Sequence, residues 1–530
     1  MRRLLPYAGA CLLAACAQVR DPQGGPKDLT PPRLSAAEPA WGGTGFRGQR
    51  IVLHFDERIT LDRPREHIIV SPPPEVDPEY RVIGGTSVEI LFRSPLRPNT
   101  TYAIAVGEAV VDLAEGNPAA PITYAFSTGA VLDSLALRGT VREALTDAPV
   151  KDALVMLRAD TVPDSLRTTR PAYITRSDPQ GAFMLGNVAP GRYAVSALLD
   201  RNGNFRFDLP DEQVAFAPLA VAAGDSTPMV LRLFREEPAA QAVMDARVLA
   251  DRAWRLVLAR RSEGIRLRSL DRSGGVLRWS AEWSTARDTV LLWPSDTTLL
   301  NDQRFLVYEG DSLLDTLAYR TDKRMPYLLN VELRKRGPAE APGLRASRPL
   351  VRITPGRALL RSAGAISPID LRRDTADDRS LVLDATIPAE GAAQLELLPG
   401  ALEDIYGGRN DTLRFDLATL REGPVGELRL SLTGDTAGAP GGPFLLQVVD
   451  AKDTRILQRT VDALPANLSL GALPSGTYRL RLVVDADANG RWTSGSVRAR
   501  RQSERVLRLA GEVNVRAGWE LEVAWTVGLN

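Results

Sequence analysis

Ile51-Val52-Leu53-His54-Phe55-Asp56 places large apolar side chains at 51, 53 and 55 and turns the intervening positions the other way. That two-residue period belongs to a strand with one face in a core. The same period recurs outward from it, at Val88, Ile90 and Phe92, at Tyr102, Ile104 and Val106, and at Tyr124, Phe126 and Thr128. Between these runs lie a turn, Leu96-Arg97-Pro98-Asn99-Thr100, and a loop, Asp112-Leu113-Ala114-Glu115-Gly116-Asn117. Short alternating runs punctuated by Pro, Gly and Asn predict an all-β domain over residues 33–130.

The pattern continues. In residues 131–236, Gly139-Thr140-Val141 opens a run, and Val155 and Leu157 form another. The turn Asp178-Pro179-Gln180-Gly181 then precedes Phe183 and Leu185, and Pro190-Gly191 reverses the chain into Tyr193 and Val195. Residues 237–342 alternate at Trp254, Leu256 and Leu258 and again at Trp279, Ala281 and Trp283. The continuous apolar runs Val290–Trp293 and Phe305–Tyr308 predict strands buried on both faces. A last run, Leu521, Val523, Trp525 and Val527, predicts a paired strand near residue 530.

A chain of 530 residues exceeds what one core organises, so several domains are expected. The formal charge of +1 gives no bulk attraction to a polyanion, and no nucleic-acid partner is expected. The cysteines are Cys11 and Cys16 and the histidines His54 and His67, too few for a zinc site. There is no Gly-x-Ser-x-Gly elbow, no His-Glu-x-x-His and no phosphate-cradling glycine loop. Carboxylates abound, but a glycosidase dyad is defined by separation in space.

The first residues carry an address. Arg2 and Arg3 precede an apolar run from Leu4 that closes on Leu13-Ala14-Ala15-Cys16. A basic start, a short apolar core and small residues at the cut make a secretory signal. The cysteine at the cut resembles the bacterial lipobox. That resemblance implies a signal peptide over 1–15, acylation of Cys16, and a membrane partner reached through the lipid. Residues 16–32 hold Pro22, Gly24, Gly25, Pro26, Pro31 and Pro32 and read as a tether. Ala17 follows the cysteine, where an aspartate commonly retains lipoproteins at the inner membrane, so an outer-membrane location is expected.

Gly24-Gly25-Pro26-Lys27-Asp28 followed by Pro31-Pro32 also resembles a family of Bacteroidota envelope lipoproteins. In that family the tether leads into a bacterial Ig-like domain of the S-layer (SbsA) type. Phe55-Asp56-Glu57 after a strand, Pro98-Asn99-Thr100-Thr101-Tyr102, the Asp112 to Asn117 loop and Phe126-Ser127-Thr128 all resemble that type. Residues 131–236 resemble the transthyretin-like accessory fold of carboxypeptidase regulatory domains, which implies a structural or binding module. Residues 237–342 predict a further β-sandwich without a named family. Asp404 through Asn410 answers Asp112 through Asn117, and Pro474-Ser475-Gly476-Thr477-Tyr478 answers Pro190 through Tyr193. Both landmarks shift by nearly the same interval. Residues 343–420 therefore read as a degenerate Ig-like repeat and 421–530 as a second transthyretin-like domain. The fold class expected is all-β, tandem Ig-like and transthyretin-like β-sandwiches after a lipoprotein signal peptide.

Two loops carry the most chemistry. Asp200, Asn202, Asn204 and Asp208 offer oxygens at alternating loop positions, and Asp485, Asp487 and Asn489 give a second copy. Calcium takes six to eight oxygens and accepts short loops. Both copies lack the twelfth-position glutamate of an EF-hand, and their flanks read as strands. The alternative is a hairpin whose Asn-Gly dipeptides supply the positive φ of a tight turn. A structural calcium ion is the one cofactor these residues suggest; otherwise none is expected. Trp279 and Trp283 share a strand face with Trp293 close in sequence, which suits a glycan surface or an ordinary core. The favoured reading is a non-catalytic cell-envelope lipoprotein, a scaffold or protein-interaction module with an envelope protein as partner. A glycan- or ligand-binding lipoprotein for adhesion or nutrient capture is the first alternative. A hydrolase with inter-domain carboxylates is the second.

Overall fold

The computed structural model describes residues 29–159, 165–271, 278–295, 303–320, 329–334, 343–362, 364–374, 377–384, 393–417, 424–435 and 443–528. It is nearly all β. Among the described residues the α-helices are single turns, Pro64–His67 and Ser165–Thr168, and no helix is long and apolar enough to cross a membrane. Cys16 and the start of the tether lie outside the described residues.

By contacts the chain forms two compact units. The first takes residues up to Val141, Val150–Ala197 and Leu219–Leu231; the second takes Arg142–Pro149, Leu198–Pro218 and everything from Arg232. The division runs through the stretch 131–236, so the strands Leu135–Glu143 and Met229–Arg235 each pass from one unit into the other.

In the first unit, Arg50–Phe55 lies between Leu34–Glu38 and Ser87–Leu91, with Glu79–Ile83 at the far edge. Its register sets Ile51 opposite Ile90 and Leu53 opposite Val88, so the apolar phase of each strand meets its neighbour's on one face. The facing sheet is Ile69–Ser71, Thr101–Ala105 and Thr123–Ser127. Between them Ile51, Leu53, Val88, Ile90, Tyr102, Ile104, Tyr124 and Phe126 are closed from water. Each such side chain contributes about 1.5–3 kcal/mol by burial. Tyr102 stacks on Phe126 with ring centroids 5.5 Å apart.

Further along this unit, Leu135–Glu143 pairs with Ala182–Val188, and Leu154–Arg158 with Tyr173–Arg176. Gly139 is required on the first of these strands. A Cβ there would stand 2.3 Å from the Met229 carbonyl oxygen and 2.8 Å from the Phe183 ring.

Along the second unit, cores of the described residues follow one another in chain order. Trp254, Leu256, Val290, Leu292, Phe305, Val307 and Tyr319 close the first, between a four-stranded and a three-stranded sheet. Leu344, Leu381, Leu383, Leu395, Leu397 and Leu402 dominate the second. Leu428, Leu430, Leu432, Leu446, Leu480, Leu482 and Trp525 belong to the third. The last strand, Glu520–Gly528, pairs in parallel with Val425–Asp435, from Glu427 opposite Glu520 to Asp435 opposite Gly528.

Candidate functional site: two aspartate–asparagine loops

Each loop leaves the end of a strand anchored by a tyrosine. Tyr193, on Arg192–Leu198, donates from its hydroxyl to the Ala189 carbonyl at 2.9 Å. Tyr478, on Gly476–Val484, donates to the Pro474 carbonyl at 2.7 Å. The identical reach back of four residues fixes both strands in the same way where Asp200 and Asp485 begin.

In the second unit, Asp200 accepts the Gly203 N–H at 2.8 Å and the Phe205 N–H at 2.8 Å, one on each oxygen. Asn202 Oδ1 accepts from the Asn204 N–H and Asn204 Oδ1 from the Arg206 N–H. Asp208 receives the side-chain amides of Asn202 at 3.1 Å and Asn204 at 2.6 Å. Gly203 sits at φ 72° and Phe205 at φ 64°, so the chain takes two left-handed steps to close the loop. Beneath it, fully buried Glu212 accepts from the N–H groups of Arg201, Asp208 and Leu209, each at 3.1 Å.

The second copy repeats this plan. Asp485, 1% exposed, accepts from the Asn489 N–H at 3.0 Å and the Gly490 N–H at 2.9 Å. Thr493 Oγ1 donates to Asp487 Oδ2 at 2.8 Å and accepts from the Asn489 amide at 2.7 Å. Glu504 takes the place of Glu212, accepting the Ala486 and Thr493 N–H groups at 2.8 Å each. Burial pushes the Glu504 carboxyl up, and the neighbouring Asp487 charge adds to that against its main-chain donors.

The sequence pattern therefore finds the rim of each loop and misses its floor. Glu212 follows the loop across a turn, and Glu504 lies beyond the stretch 491–503, so neither belongs to a local spacing. With Glu504 included, Asp485, Asp487 and Glu504 each present one oxygen within 4.8 Å of the others. Oxygens bound to one calcium ion at 2.3–2.6 Å lie up to about 5 Å apart, so these three fit around a single cation.

The three tryptophans are not brought together. Trp279 and Trp283 lie half-buried on one face of Trp279–Trp283 and pack against the core. Trp279 meets Trp254 at 6.0 Å and Phe305 at 5.6 Å, and the Arg287 guanidinium covers the Trp283 ring at 5.0 Å. Trp293 sits opposite Ser280 in the ladder, hence on the other face, 1% exposed and under the Arg379 guanidinium at 4.8 Å. His54 Nδ1 lies 2.9 Å from Ser87 Oγ, consistent with its place on the polar phase of its strand.

An insertion in the second loop makes a contact of its own. Ser494 Oγ donates to the Arg235 carbonyl at 2.5 Å, and Ser496 Oγ to Glu236 Oε1 at 2.6 Å. Gln502 donates to the Phe216 carbonyl at 2.8 Å. Gly495 lies flat on Phe234, where a Cβ would fall 2.5 Å from the ring. The stretch 494–502 thus seats the last sandwich on strands of residues 213–236 within the second unit.

No curated protein matches this chain. Among solved structures, an L,D-transpeptidase from Mycobacterium smegmatis aligns at 15% identity over 32% of this chain and 76% of that one, with a TM-score of 0.15. The N-terminal part of the bacterial S-layer protein SbsC aligns at 13% identity over 37% of this chain and 41% of that one, TM-score 0.15. The Bacillus anthracis TIE protein aligns at 9% identity over 96% of this chain and 76% of that one, TM-score 0.15. At such scores these likenesses carry no argument. The profile of the bacterial Ig-like domain family matches residues 28–128, the stretch whose two facing sheets are built around Ile51–Phe55.

Proposed function

We propose that this protein is a non-catalytic structural or protein-contact module of a bacterial cell envelope, held at the outer membrane by lipid on Cys16. The observation that carries this reading is how its buried and half-buried carboxylates are used. Asp112, Glu212 and Glu504 bind main-chain N–H groups, and Glu396 is held between Arg361 at 2.8 Å and Arg414 at 3.0 Å. Carboxylates committed in this way shape loops and join strands. The matched Ig-like domain supports the same reading, since such sandwiches present edges and loops rather than clefts. As part of it, calcium at Asp485, Asp487 and Glu504, and at the corresponding first loop, braces a turn.

Mass spectrometry of the chain recovered from membranes tests the anchor. Diacyl or triacyl mass on an N-terminal Cys16 is expected, and an unmodified residue 16 removes it. Cross-linking of the intact lipoprotein in its envelope, followed by identification of the linked chains, tests the contact function. A recurrent envelope protein is expected. Hydrolysis of an envelope polymer by the purified chain, abolished by one carboxylate substitution, overturns the non-catalytic reading.

A further inference from the structure

We propose that the groove between residues 32–41 and 120–123 is a lipid-facing surface whose rim, led by Trp41, rests in the headgroup region of the membrane. The proposal builds on the Cys16 anchor above. The groove encloses about 600 Å³, and its walls are mostly apolar, with Leu34, Ala36, Trp41, Pro121 and Ile122 among them. Arg33 is the one charged residue in its lining.

Trp41 is 59% exposed, and Leu29, where the tether arrives, is 76% exposed. The Trp41 ring is nevertheless held. It stands edge-on to Tyr124 at 6.4 Å, and the Tyr124 hydroxyl donates to the Pro39 carbonyl at 2.8 Å beside it. A fixed, outward indole in a lining with one guanidinium and no carboxylate, the exposed Glu38 of the strand Leu34–Glu38 lying against His54 instead, suits an interface of acyl chain and phosphate.

The tether sets the distance. Twelve residues, 17–28, separate Cys16 from Leu29, a chain length that can span roughly 45 Å at most. The groove mouth, at Pro32 and Arg33, is three residues further on. An anchored chain therefore meets the bilayer as an intramolecular event, where a weak surface is enough.

Other occupants fit less well. The outer edge of Leu34–Glu38 is five residues long, bulged between Leu34 and Ala36, and followed by Pro39. Short, bulged, proline-ended edges resist strand addition. The tether itself offers only Val19 and Leu29 as large apolar residues, too little to fill the walls.

The test is tryptophan quenching of the full-length lipoprotein in phosphatidylethanolamine–phosphatidylglycerol vesicles with brominated acyl chains. Trp41→Phe is expected to remove most of the bromine-dependent quenching. Trp519→Phe, at an exposed tryptophan beside Arg516, is expected to leave it unchanged. Equal quenching in wild type and Trp41→Phe overturns the proposal, as does no quenching in wild type. Joining Cys16 to a maleimide lipid supplies the tether chemically, so the groove is tested even where mass spectrometry shows no native acylation. An unchanged thermal midpoint in Trp41→Phe confirms that the fold is intact.

Discussion

Arg348 Nη1 donates to Asp404 Oδ2 at 3.0 Å, with both side chains sealed from solvent, at 3% and 0% exposure. The other oxygen of Asp404 accepts the N–H groups of Tyr406 and Gly408 at 2.8 Å each, so one carboxylate shapes a loop and neutralises a cation. Arg348 in turn donates through Nε to the Asp251 carbonyl at 3.1 Å, joining two successive cores of the second unit. Breaking a buried pair from one side typically costs about 3–5 kcal/mol. Asp404→Ala is expected to cost an amount in that range, measured by urea denaturation. A loss below about 1 kcal/mol shows that water replaces the carboxylate.

Asp112 holds the loop 112–117 of the first unit through main-chain N–H groups. Ala114, Glu115 and Gly116 donate to Oδ1 and Asn117 to Oδ2. These donors, the Glu115 N–H first among them, hold its carboxyl below the usual carboxylate range. A depressed folded value means the contribution is complete above an unfolded pKa of about 3.9 and is lost as pH falls through the folded value. Hydrogen-exchange protection of residues 110–119, corrected for intrinsic rates, is expected to hold down to about pH 4 and then decline. In Asp112→Asn it is expected to be lower throughout and nearly flat across that window.

Calcium is expected to raise the thermal midpoint relative to a chelator. A ligand at a hundred times its dissociation constant adds about 2.7 kcal/mol. Asp487→Ala is expected to remove the part of the shift that belongs to the second loop, leaving the first. Identical melting curves with and without calcium show that the hydrogen bonds around Asp200 and Asp485 are sufficient by themselves.

Gly495→Val is expected to lift the stretch 494–502 from Phe234, since a Cβ there would meet the ring at 2.5 Å. Overpacking of this kind costs about 1–3 kcal/mol. Limited proteolysis reads it as new cleavage between 491 and 504, with the core around Leu480 and Trp525 still protected. No change in cleavage shows that the contact holds without close packing.

What was legible in the chain was local. The alternation through Ile51, Leu53 and Phe55 survives as a central strand with those residues inward, because a period of two leaves a strand one apolar face. Tyr193 and Tyr478, found as matching landmarks, make the same hydrogen bond four residues back. Trp279 and Trp283 share a face, as their spacing requires, while Trp293 lands on the opposite side of the neighbouring strand. What was not legible was assembled across distance. Nothing near Asp200 points to Glu212 as the floor of its loop, nothing near Asp485 points to Glu504, and Arg348 finds Asp404 only once the intervening strands are placed. The parallel pairing of the last strand likewise depends on which edge of Val425–Asp435 the fold leaves open.

That parallel ladder has a mechanical meaning. Tension applied along the chain pulls on the sandwich at its entry, beside Val425, and at its exit, beside Gly528. Because the two strands run in the same direction, the load acts along the ladder, so every rung from Glu427 to Asp435 resists sliding at once. An antiparallel closing hairpin would instead be peeled apart one rung at a time. The last sandwich therefore resists tension along its chain more strongly than one closed by an antiparallel hairpin.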